Sequence, residues 1–590
     1  MNRHYLFLIS ALLLFLAIGC STGSDDLETN TEVTDEDGEN TDTTVADADN
    51  CDDHEAATDY VWDSSSEITI VLNESSITTS NSSAVNISGS IATIIKAGNY
   101  RIDGTLSNGQ IIVNSTDEAT TRLILNGANI TCSSSAPIDI ENADKVIVVL
   151  ADNTTNTLTD GSNYVFASAD IDEPNAALYS KADMTIYGGG SLNVKGNYND
   201  GITSKDGLII KSGTVTVNAA DDGIRGKDYL IVKDGNITVT SGGDGLKSDN
   251  DEDLTKGYIS VLTGTIKVTS TGDAISAQKD VLITNGTITV ISGGGSTKTV
   301  SESISTKGIK SVVGTIIDGG TININSCDDA IHSNKRVVIN GGTYTISSGD
   351  DGIHADSTLT ISGGDITISK SYEGIESAII TINDGTVHLT SIDDGLNVAG
   401  GADGSSTNGR PGQNTFTTSS SSTYLYMNGG YVYMNASGDG VDVNGSALMT
   451  GGTIIVNGPT DNGNGPMDYD GTFKITGGYL IAAGSSGMAQ IPGSTSTQCS
   501  VLLKFNSSQK SGNMIHIQAS DGSDVLSFVP TKTYQSIAFS SPLLVKGSSF
   551  DVYLGGSSSG SAKDGLYSGG NYTAGTKYTT FTQSSVALTK

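Results

Sequence analysis

Several residue types are scarce in this chain, and each scarcity excludes a class of protein. Its 590 residues include 5 cysteines, 8 prolines, 6 histidines and 1 tryptophan. The cysteines lie far apart, so we expect neither a disulfide framework nor a zinc-binding cluster. Because histidine is rare and no Cys/His motif occurs, we also expect no transition-metal site.

Basic residues are scarce relative to acidic ones. Lys and Arg number 31 against 66 Asp and Glu, which gives a formal net charge of −35. A chain with this charge cannot displace phosphate counterions on a large scale, so nucleic acid is excluded as a partner.

The periodicity of an amphipathic helix is also missing, and a glycine-marked repeat of about 22 residues takes its place. Gly-Thr followed by a β-branched or aromatic residue returns at Gly213, Gly320, Gly342 and Gly452. Between these phrases an acid-Gly-Ile or acid-Gly-Leu phrase recurs, and the residue after the acid falls at 308, 330, 352 and 374. A fixed period of short β segments joined by turn residues predicts a solenoid, and the leucine pattern of a leucine-rich repeat is absent.

We therefore predict an all-β chain whose main body is a parallel β-helix. The predicted parts are a signal peptide at 1–20, an acidic disordered tether at 21–58, and an N-terminal cap with the first coils at 59–180. The β-helix proper is predicted at 181–499, and a small C-terminal β domain or cap at 500–590, where the period is lost.

The N-terminal residues predict export and a lipid anchor. Arg3 and His4 precede an apolar run at 5–18 that is too short to remain as a membrane span. The stretch 16–20 is similar to a bacterial lipobox, so Cys20 is the predicted lipid-bearing residue, and an ordinary signal peptide is the alternative. We therefore expect the bacterial cell envelope as the location, with the protein anchored at the outer membrane or cell surface.

The acid before each glycine predicts a ladder of carboxylates, because equivalent positions of successive coils stack. Two charges about 4.8 Å apart repel by roughly 3 kcal/mol at an effective dielectric near 20. Ca²⁺ suits such a ladder because it accepts six to eight oxygens in flexible geometry, whereas Lys307 in the acid slot counts against a metal at its coil. The alternative is that each Asp caps a turn. The predicted Ca²⁺ ligands are Asp200, Asp221, Asp222, Asp244, Asp328, Asp329, Asp350, Asp351, Asp393 and Asp394.

A row of basic residues is predicted beside the ladder, three positions after the acids and pointing outward. It would hold an anionic polysaccharide such as polygalacturonate, directly through the bases and indirectly through Ca²⁺. The alternative is local charge balance with neighbouring carboxylates. The row contains Arg225, Lys247, Lys310, His332 and His354.

Four tyrosines alternate around Gly429-Gly430 and predict one outward patch on which sugar rings would stack. The alternative is strand propensity combined with cover from the loop at 400–423. The tyrosines are Tyr424, Tyr426, Tyr431 and Tyr433.

Together with the repeated coils, four stretches resemble a family of bacterial cell-surface carbohydrate-binding β-helix proteins that are fold relatives of the pectate lyases. These stretches are 111–113, 123–132, 156–161 and 534–542, and the resemblance extends over roughly residues 65–555. It implies a right-handed parallel β-helix, bound Ca²⁺, and binding of cellulose or acidic polysaccharides. It transfers no catalytic residue.

The sequence therefore favours a lipid-anchored, Ca²⁺-containing binding protein for plant or algal polysaccharide over an enzyme. The alternative is a polysaccharide lyase, in which Lys247, Lys310 or Arg225 would act as the base and the acid ladder would hold Ca²⁺. A structural adhesin is the third hypothesis.

Overall fold

A computed structural model describes residues 53–168, 170–299, 304–399 and 423–590, and residues 54–590 form one compact unit. Within these ranges the chain is almost entirely β, with two short 3-10 turns at Ala57–Tyr60 and Ser64–Ser66 and no α-helix. The same ranges contain no helix of the length and hydropathy needed to cross a membrane. The predicted all-β fold is confirmed, while the predicted signal peptide and Cys20 lie outside the described residues.

Each coil contributes one strand to each of three parallel faces. Face one follows the Gly-Thr turns, face two follows the acid-glycine phrase, and face three closes the coil. Residues pair with equivalents one coil later, as in Val215 with Ile237 on face one and Leu208 with Leu230 on face three. This in-register parallel pairing confirms the parallel β-helix, and its right-handedness stays a prediction.

The strands are grouped by face as follows. Face one comprises Thr155–Asp160, Ser191–Gly196, Thr214–Ala219, Asn236–Ser241, Thr265–Ser270, Thr287–Ser292, Thr321–Ser326, Thr343–Ser347, Asp365–Lys370, Thr386–Ser391, Tyr431–Ala436, Thr453–Asn457 and Tyr479–Gly484. Face two comprises Ile138–Asn142, Ala176–Ser180, Asp200–Ser204, Ile224–Gly226, Leu246–Ser248, Ile275–Ala277, Ile309–Ser311, Ile331–Ser333, Leu396–Val398, Val441–Val443 and Asp468–Tyr469. Face three comprises Lys145–Leu150, Asp183–Gly188, Gly207–Ile210, Tyr229–Val232, Tyr258–Val261, Asp280–Ile283, Gly314–Ile317, Arg336–Ile339, Tyr424–Met427, Ser446–Met449 and Phe473–Ile475. Two longer strands run from face two into face three, Ile353–Ile361 and Ile375–Ile382.

The N-terminal coils begin with two antiparallel hairpins. Ile68–Glu74 pairs with Ser76–Thr79, and Val85–Ser88 pairs with Ile91–Ile94. Parallel stacking starts at the same point, because Ile68 also pairs with Tyr100. The strands that continue it are Gly98–Leu106, Gln110–Asn114 and Thr120–Cys132.

The segment preceding these strands packs on face three. His54 hydrogen-bonds to the hydroxyls of Tyr229 and Thr185, and Glu55 pairs with Lys211 and Lys233. Residues 54–58 therefore belong to the packed unit, and the predicted end of the tether at residue 58 is too late. Sequence composition could not show this, because the segment is acidic and its partners lie in distant coils.

The last coil is joined to antiparallel strands. Tyr479–Gly484 pairs with Tyr534–Ser540, which pairs in turn with Ser500–Gln509, and Ala587–Thr589 runs parallel to the latter. A separate six-stranded sheet contains Ile515–Ala519, Asp524–Phe528, Ser549–Ser558, Ser561–Lys563, Leu566–Ser568 and Tyr572–Thr582. A second apolar core that includes Ile481 and Phe539 lies between these strands and the end of the coils.

The interior of the coils consists of stacked aliphatic columns. On face two, the residue after the Gly or Ala of the repeat points inward and is fully buried, because alternation along a strand sends its neighbours outward. Burying apolar area contributes about 25 cal/mol per Å², so each column stabilises the stack of coils. The column on face two contains Ile202, Ile224, Leu246, Ile275, Ile309, Ile331, Ile353, Ile375, Leu396 and Val441.

The glycine of the Gly-Thr turn is needed for its backbone conformation. Gly320 has φ of +98°, a value that side chains with a Cβ rarely adopt. A Cβ on Gly320 would also lie 2.7 Å from the carbonyl oxygen of Gly286 in the preceding coil. The recurrence of this glycine in the sequence thus reflects the turn into face one.

We expect Gly320→Ala to lower the free energy of unfolding by about 1–3 kcal/mol, because the backbone becomes strained. Chemical denaturation measures the change. Gly493→Ala is the matched control, since the nearest atom to its added Cβ would be 3.6 Å away. Equal losses in the two variants would contradict the account of the turn.

Candidate functional site

The predicted acid ladder lies at the corner between faces one and two. The backbone N–H of Gly201 donates to the carbonyl of Asp222 at 2.9 Å, and that of Gly223 donates to Asp244 at 2.8 Å. The same bond recurs in later coils, so the slots stack as expected. We call the column the acid corner; it contains Asp200, Asp222, Asp244, Asp273, Lys307, Asp329, Asp351, Glu373, Asp394 and Asp439.

One oxygen of most carboxylates at the acid corner caps the following coil. Oδ1 of Asp222 accepts from the backbone N–H of Asp244 at 2.8 Å, and Oδ1 of Asp244 accepts from Asp273 at 2.9 Å. Oδ1 of Asp329 accepts from Asp351 at 3.0 Å in the same way. The turn-cap interpretation therefore holds for this oxygen, and the other oxygen remains for a second partner.

In the earlier coils the second oxygen is paired with a base of the predicted row. Lys247 Nζ bridges Asp222 Oδ2 at 2.9 Å and Asp244 Oδ2 at 3.1 Å. Lys310 Nζ contacts Asp273 Oδ2 at 3.1 Å. Arg225 pairs instead with Asp249, Nη2 to Oδ2 at 2.9 Å. Local charge balance therefore describes these partly exposed bases.

Lys247 is held in its charged form. Burial alone would lower the pKa of Lys247, but attraction to Asp244 and Asp222 outweighs burial and raises it. Attraction to Asp249 raises the pKa of Arg225 against the same effect of burial. A general base must be able to take up a proton, so neither side chain is suited to the base role that the lyase hypothesis assigns.

The lysine within the ladder neutralises its neighbours. Lys307 is buried, and its Nζ lies 3.2 Å from Asp328 Oδ2 and 2.6 Å from Asp329 Oδ2. Burial would raise the pKa of Asp329, but Lys307 and the adjacent histidines hold it well below its ordinary value. The ammonium thus supplies positive charge at the coil where the sequence counted against a metal.

The remaining doubled acids differ in their surroundings. Asp393 Oδ2 accepts from the hydroxyl of Tyr372 at 2.8 Å. Burial and repulsion from Asp222 raise the pKa of Asp221, and Asp350 is buried close to Asp328 and Asp329. The second acid of a doubled pair therefore has different surroundings in each coil.

His332 and His354 do not point outward as predicted. They are only 5% and 0% exposed, and their rings stack with centroids 5.0 Å apart. Nδ1 of His332 lies 2.8 Å from Asp329, and Nδ1 of His354 lies 3.2 Å from Asp351. Acids of neighbouring coils enclose both rings, so the prediction that these two residues contact sugar is wrong.

The four tyrosines do not form one patch either. Tyr424 and Tyr426 lie on face three with half-buried rings stacked 4.2 Å apart. Tyr431 and Tyr433 lie on face one and pack against the C-terminal core, where the hydroxyl of Tyr431 donates to Asp564 at 2.7 Å. The alternation seen in the sequence is interrupted because the Gly-Gly turn moves the chain to another face.

The last coils of the acid corner carry carboxylates without a base. Among the described residues, no Lys, Arg or His forms an ion pair with Asp394, Asp439, Asp442 or Asp468. Burial, followed by repulsion from Asp442 and Asp393, raises the pKa of Asp394 to about 8. Burial and repulsion from Asp439 and Asp468 raise the pKa of Asp442 to about 7. This is the part of the corner where negative charge is least compensated.

Asn397 adds an unsatisfied oxygen at this place. It is 3% exposed, its amide nitrogen donates to Glu373 in the preceding coil, and its Oδ1 has no hydrogen-bond partner. In the following coil, the register partner of Asn397 is Asp442. The amide nitrogen is used by the preceding coil, so the amide oxygen is on the side of Asp442. The set of oxygen donors fits Ca²⁺, which binds carboxylate and amide oxygens.

Asn397, Asp439, Asp442 and Asp468 were not among the residues predicted to bind metal. The signal for them was present, because the slot three after the acid changes from His354 to Glu376, Asn397 and then Asp442. The prediction counted acids in the ladder and did not compare them with the bases coil by coil.

Comparisons with known proteins agree with the resemblance seen in the sequence. Residues 88–352 match the model of a family described as carbohydrate-binding domain-containing protein. A curated protein of Acetivibrio thermocellus with the same description is 40% identical over 150 residues, which are 25% of this chain and 52% of that protein. The chain thus spans about half the length of this relative. The predicted resemblance is confirmed by these two matches.

A solved structure also aligns with part of the chain. It is described as a polysaccharide lyase-like protein from C. thermocellum, in a gadolinium derivative. The two chains are 38% identical, the alignment covers 39% of this chain and 92% of the other, and the TM-score is 0.38.

We expect Asp222→Ala to lower the free energy of unfolding by about 1–3 kcal/mol, because the N–H of Asp244 loses its acceptor. Asp222→Asn keeps an oxygen at the capping position and leaves Lys247 paired with Asp244, so its loss is smaller. Chemical denaturation of both variants at one pH measures the difference. If Asn is as damaging as Ala, the cap is not what stabilises this corner.

The stability of the last coils is expected to fall as pH rises in the presence of EDTA. The folded chain binds the proton of Asp394 more tightly than the unfolded chain, so stability is lost between the ordinary pKa of 3.8 and about 8. Asp394→Asn removes this titration and keeps the capping oxygen.

The variant is therefore expected to match the wild type near pH 4 and to be more stable at pH 8.5. The difference is about 1.4 kcal/mol for each factor of ten by which folding strengthens proton binding at Asp394. Denaturation curves of both proteins across this pH range give the comparison. A constant difference across the range would show that Asp394 does not carry the shift.

Proposed function

We propose that this chain binds an acidic polysaccharide of the polygalacturonate type, with Ca²⁺ held at the end of the acid corner. The observation that carries the proposal is the buried, unpartnered Oδ1 of Asn397 beside the uncompensated carboxylates of Asp394 and Asp442. The match of residues 88–352 to a carbohydrate-binding family supports the class of ligand. Cellulose is the alternative polysaccharide.

The residues that would hold Ca²⁺ are Asp394, Asn397 and Asp442. Oδ1 of Asp394 is used by the backbone N–H of Asp439 at 2.6 Å, which leaves its other oxygen for an ion. Ca²⁺ would neutralise the repelling carboxylates and accept further oxygens, because it takes six to eight ligands. Three side chains leave ligand positions open, and uronate carboxylates are suited to fill them.

The partly exposed bases would extend the contact along face two. Lys247, Lys310 and Arg225 each already pair with an aspartate, so each contributes less to binding than an unpaired base would. The stacked Tyr424 and Tyr426 lie on face three, and we assign them a sugar-stacking role apart from the row. His332 and His354 are buried and have no part in this contact.

We further propose that the chain is anchored to the cell envelope through a lipid on Cys20. The support is the lipobox-like stretch at 16–20 and the acidic segment that follows it.

Binding and lyase activity are separated by one experiment. The non-lipidated chain is applied to immobilised polygalacturonate in Ca²⁺ or EDTA, and unsaturated uronate products are followed by ultraviolet absorbance. We expect retention in Ca²⁺, loss of retention in EDTA, and no new absorbance. Rising absorbance would make the protein a lyase, and retention on cellulose alone would replace the acidic ligand.

The Ca²⁺ ligands are tested in the same assay. We expect Asp442→Asn and Asn397→Ala each to weaken Ca²⁺-dependent retention by on the order of tenfold or more, because each removes or alters an oxygen ligand. Asp365→Asn is the matched control, since this exposed acid lies on face one. Retention that is insensitive to both ligand variants would place Ca²⁺ elsewhere and refute the proposed site.

A further inference from the structure

His332 and His354 form a buried pair between two adjacent coils. The two residues are register partners in adjacent coils, and their ring planes lie 16° from parallel. Four carboxylates contact them, whereas the positive groups among the described neighbours are Lys307 and the two imidazoles themselves. The carboxylates are those of Asp329, Asp351, Asp356 and Glu376.

The far nitrogen of each ring is already held by an acceptor. Nε2 of His332 lies 3.1 Å from Asn334 Oδ1, and Nε2 of His354 lies 3.1 Å from Asp356 Oδ1. With its hydrogen on Nε2, a neutral imidazole held in this way would carry its lone pair on Nδ1. Such second contacts are those that orient histidines at metal sites.

The near nitrogens then face carboxylate oxygens. Nδ1 of His332 lies 2.8 Å from Asp329 Oδ2, and Nδ1 of His354 lies 3.3 Å from Glu376 Oε2. Two acceptors at this distance require a proton or a metal ion to link them.

The donor atoms are close enough to converge on one ion. Those of Asp329, His332 and His354 lie within 4.8 Å of one another, and so do those of Asp351, His354 and Glu376. His354 belongs to both groups. Imidazole nitrogen with carboxylate oxygen is a donor set for Zn²⁺ and similar ions, whereas Ca²⁺ prefers oxygen alone.

We propose that His332 and His354, with Asp329 and Glu376, bind a divalent transition-metal ion of the zinc type inside the β-helix. Binding requires both imidazoles to turn out of their stack, because the lone pairs of parallel rings cannot meet at one ion. The ion would join adjacent coils at the place where buried carboxylates outnumber bases. The expectation from the sequence that no transition-metal site exists rested on the rarity of histidine and the absence of a Cys/His motif, and two histidines 22 positions apart do not form such a motif although they are register partners.

The test uses the full chain without a histidine tag, stripped with a chelator and dialysed against Zn²⁺ or Co²⁺. We expect one Zn²⁺ per chain by elemental analysis, a higher melting temperature, and the visible absorption of Co²⁺ with nitrogen ligands. His332→Gln and His354→Gln are each expected to lower the affinity by about 100-fold, since each removes a ligand. His388→Gln is the control, because this histidine pairs with Asp564 outside the cluster and binding should be unchanged.

Glu376→Gln provides a variant that keeps the side-chain shape should the histidine variants fail to fold, and it too is expected to weaken Zn²⁺ binding. The melting temperature of each metal-free variant shows whether it is folded. Failure of the wild type to retain Zn²⁺ would overturn the proposal. Retention by a folded Glu376→Gln protein at wild-type affinity, or displacement of Zn²⁺ by equimolar Ca²⁺, would overturn it as well.

Discussion

The parallel register between successive coils is the constraint on which the other features of this protein depend. Backbone hydrogen bonds hold each residue next to its equivalent about 22 positions away, so a repeat in sequence becomes a column in space. A column of aliphatic residues gains from this arrangement, because every neighbour buries more apolar area. A column of carboxylates is destabilised by it, since the like charges cannot separate.

The compensation of this repulsion differs between three parts of the acid corner. In the early coils Lys247 and Lys310 reach the outer oxygens, and in the middle coils Lys307 and two imidazoles lie among the acids. In the last coils, around Asp442, the described residues supply no base. The same backbone position therefore carries compensated acids in some coils and uncompensated acids in others. The side chain three residues after the acid contributes to this difference.

Sequence reasoning reached those properties that depend on the period alone. The parallel coils, the stacking of acids and the inward Ile and Leu residues all follow from spacing and alternation. The burial of His354 does not, because it depends on Glu376 and Asp356 in other parts of the coils. The separation of Tyr426 from Tyr431 was missed because alternation is a property of one strand and ends at a turn.

The two oxygens of each aspartate at the acid corner have different roles. One caps the next coil and stabilises the fold, and the other can meet a cation. Oδ1 is used by the next coil, and an asparagine would serve that purpose as well as an aspartate. The charge is needed only where the second oxygen meets a cation, whether a lysine, an imidazolium or a metal ion. A column of full carboxylates therefore exceeds what capping requires, and the proposed Ca²⁺ site would account for the excess at Asp394.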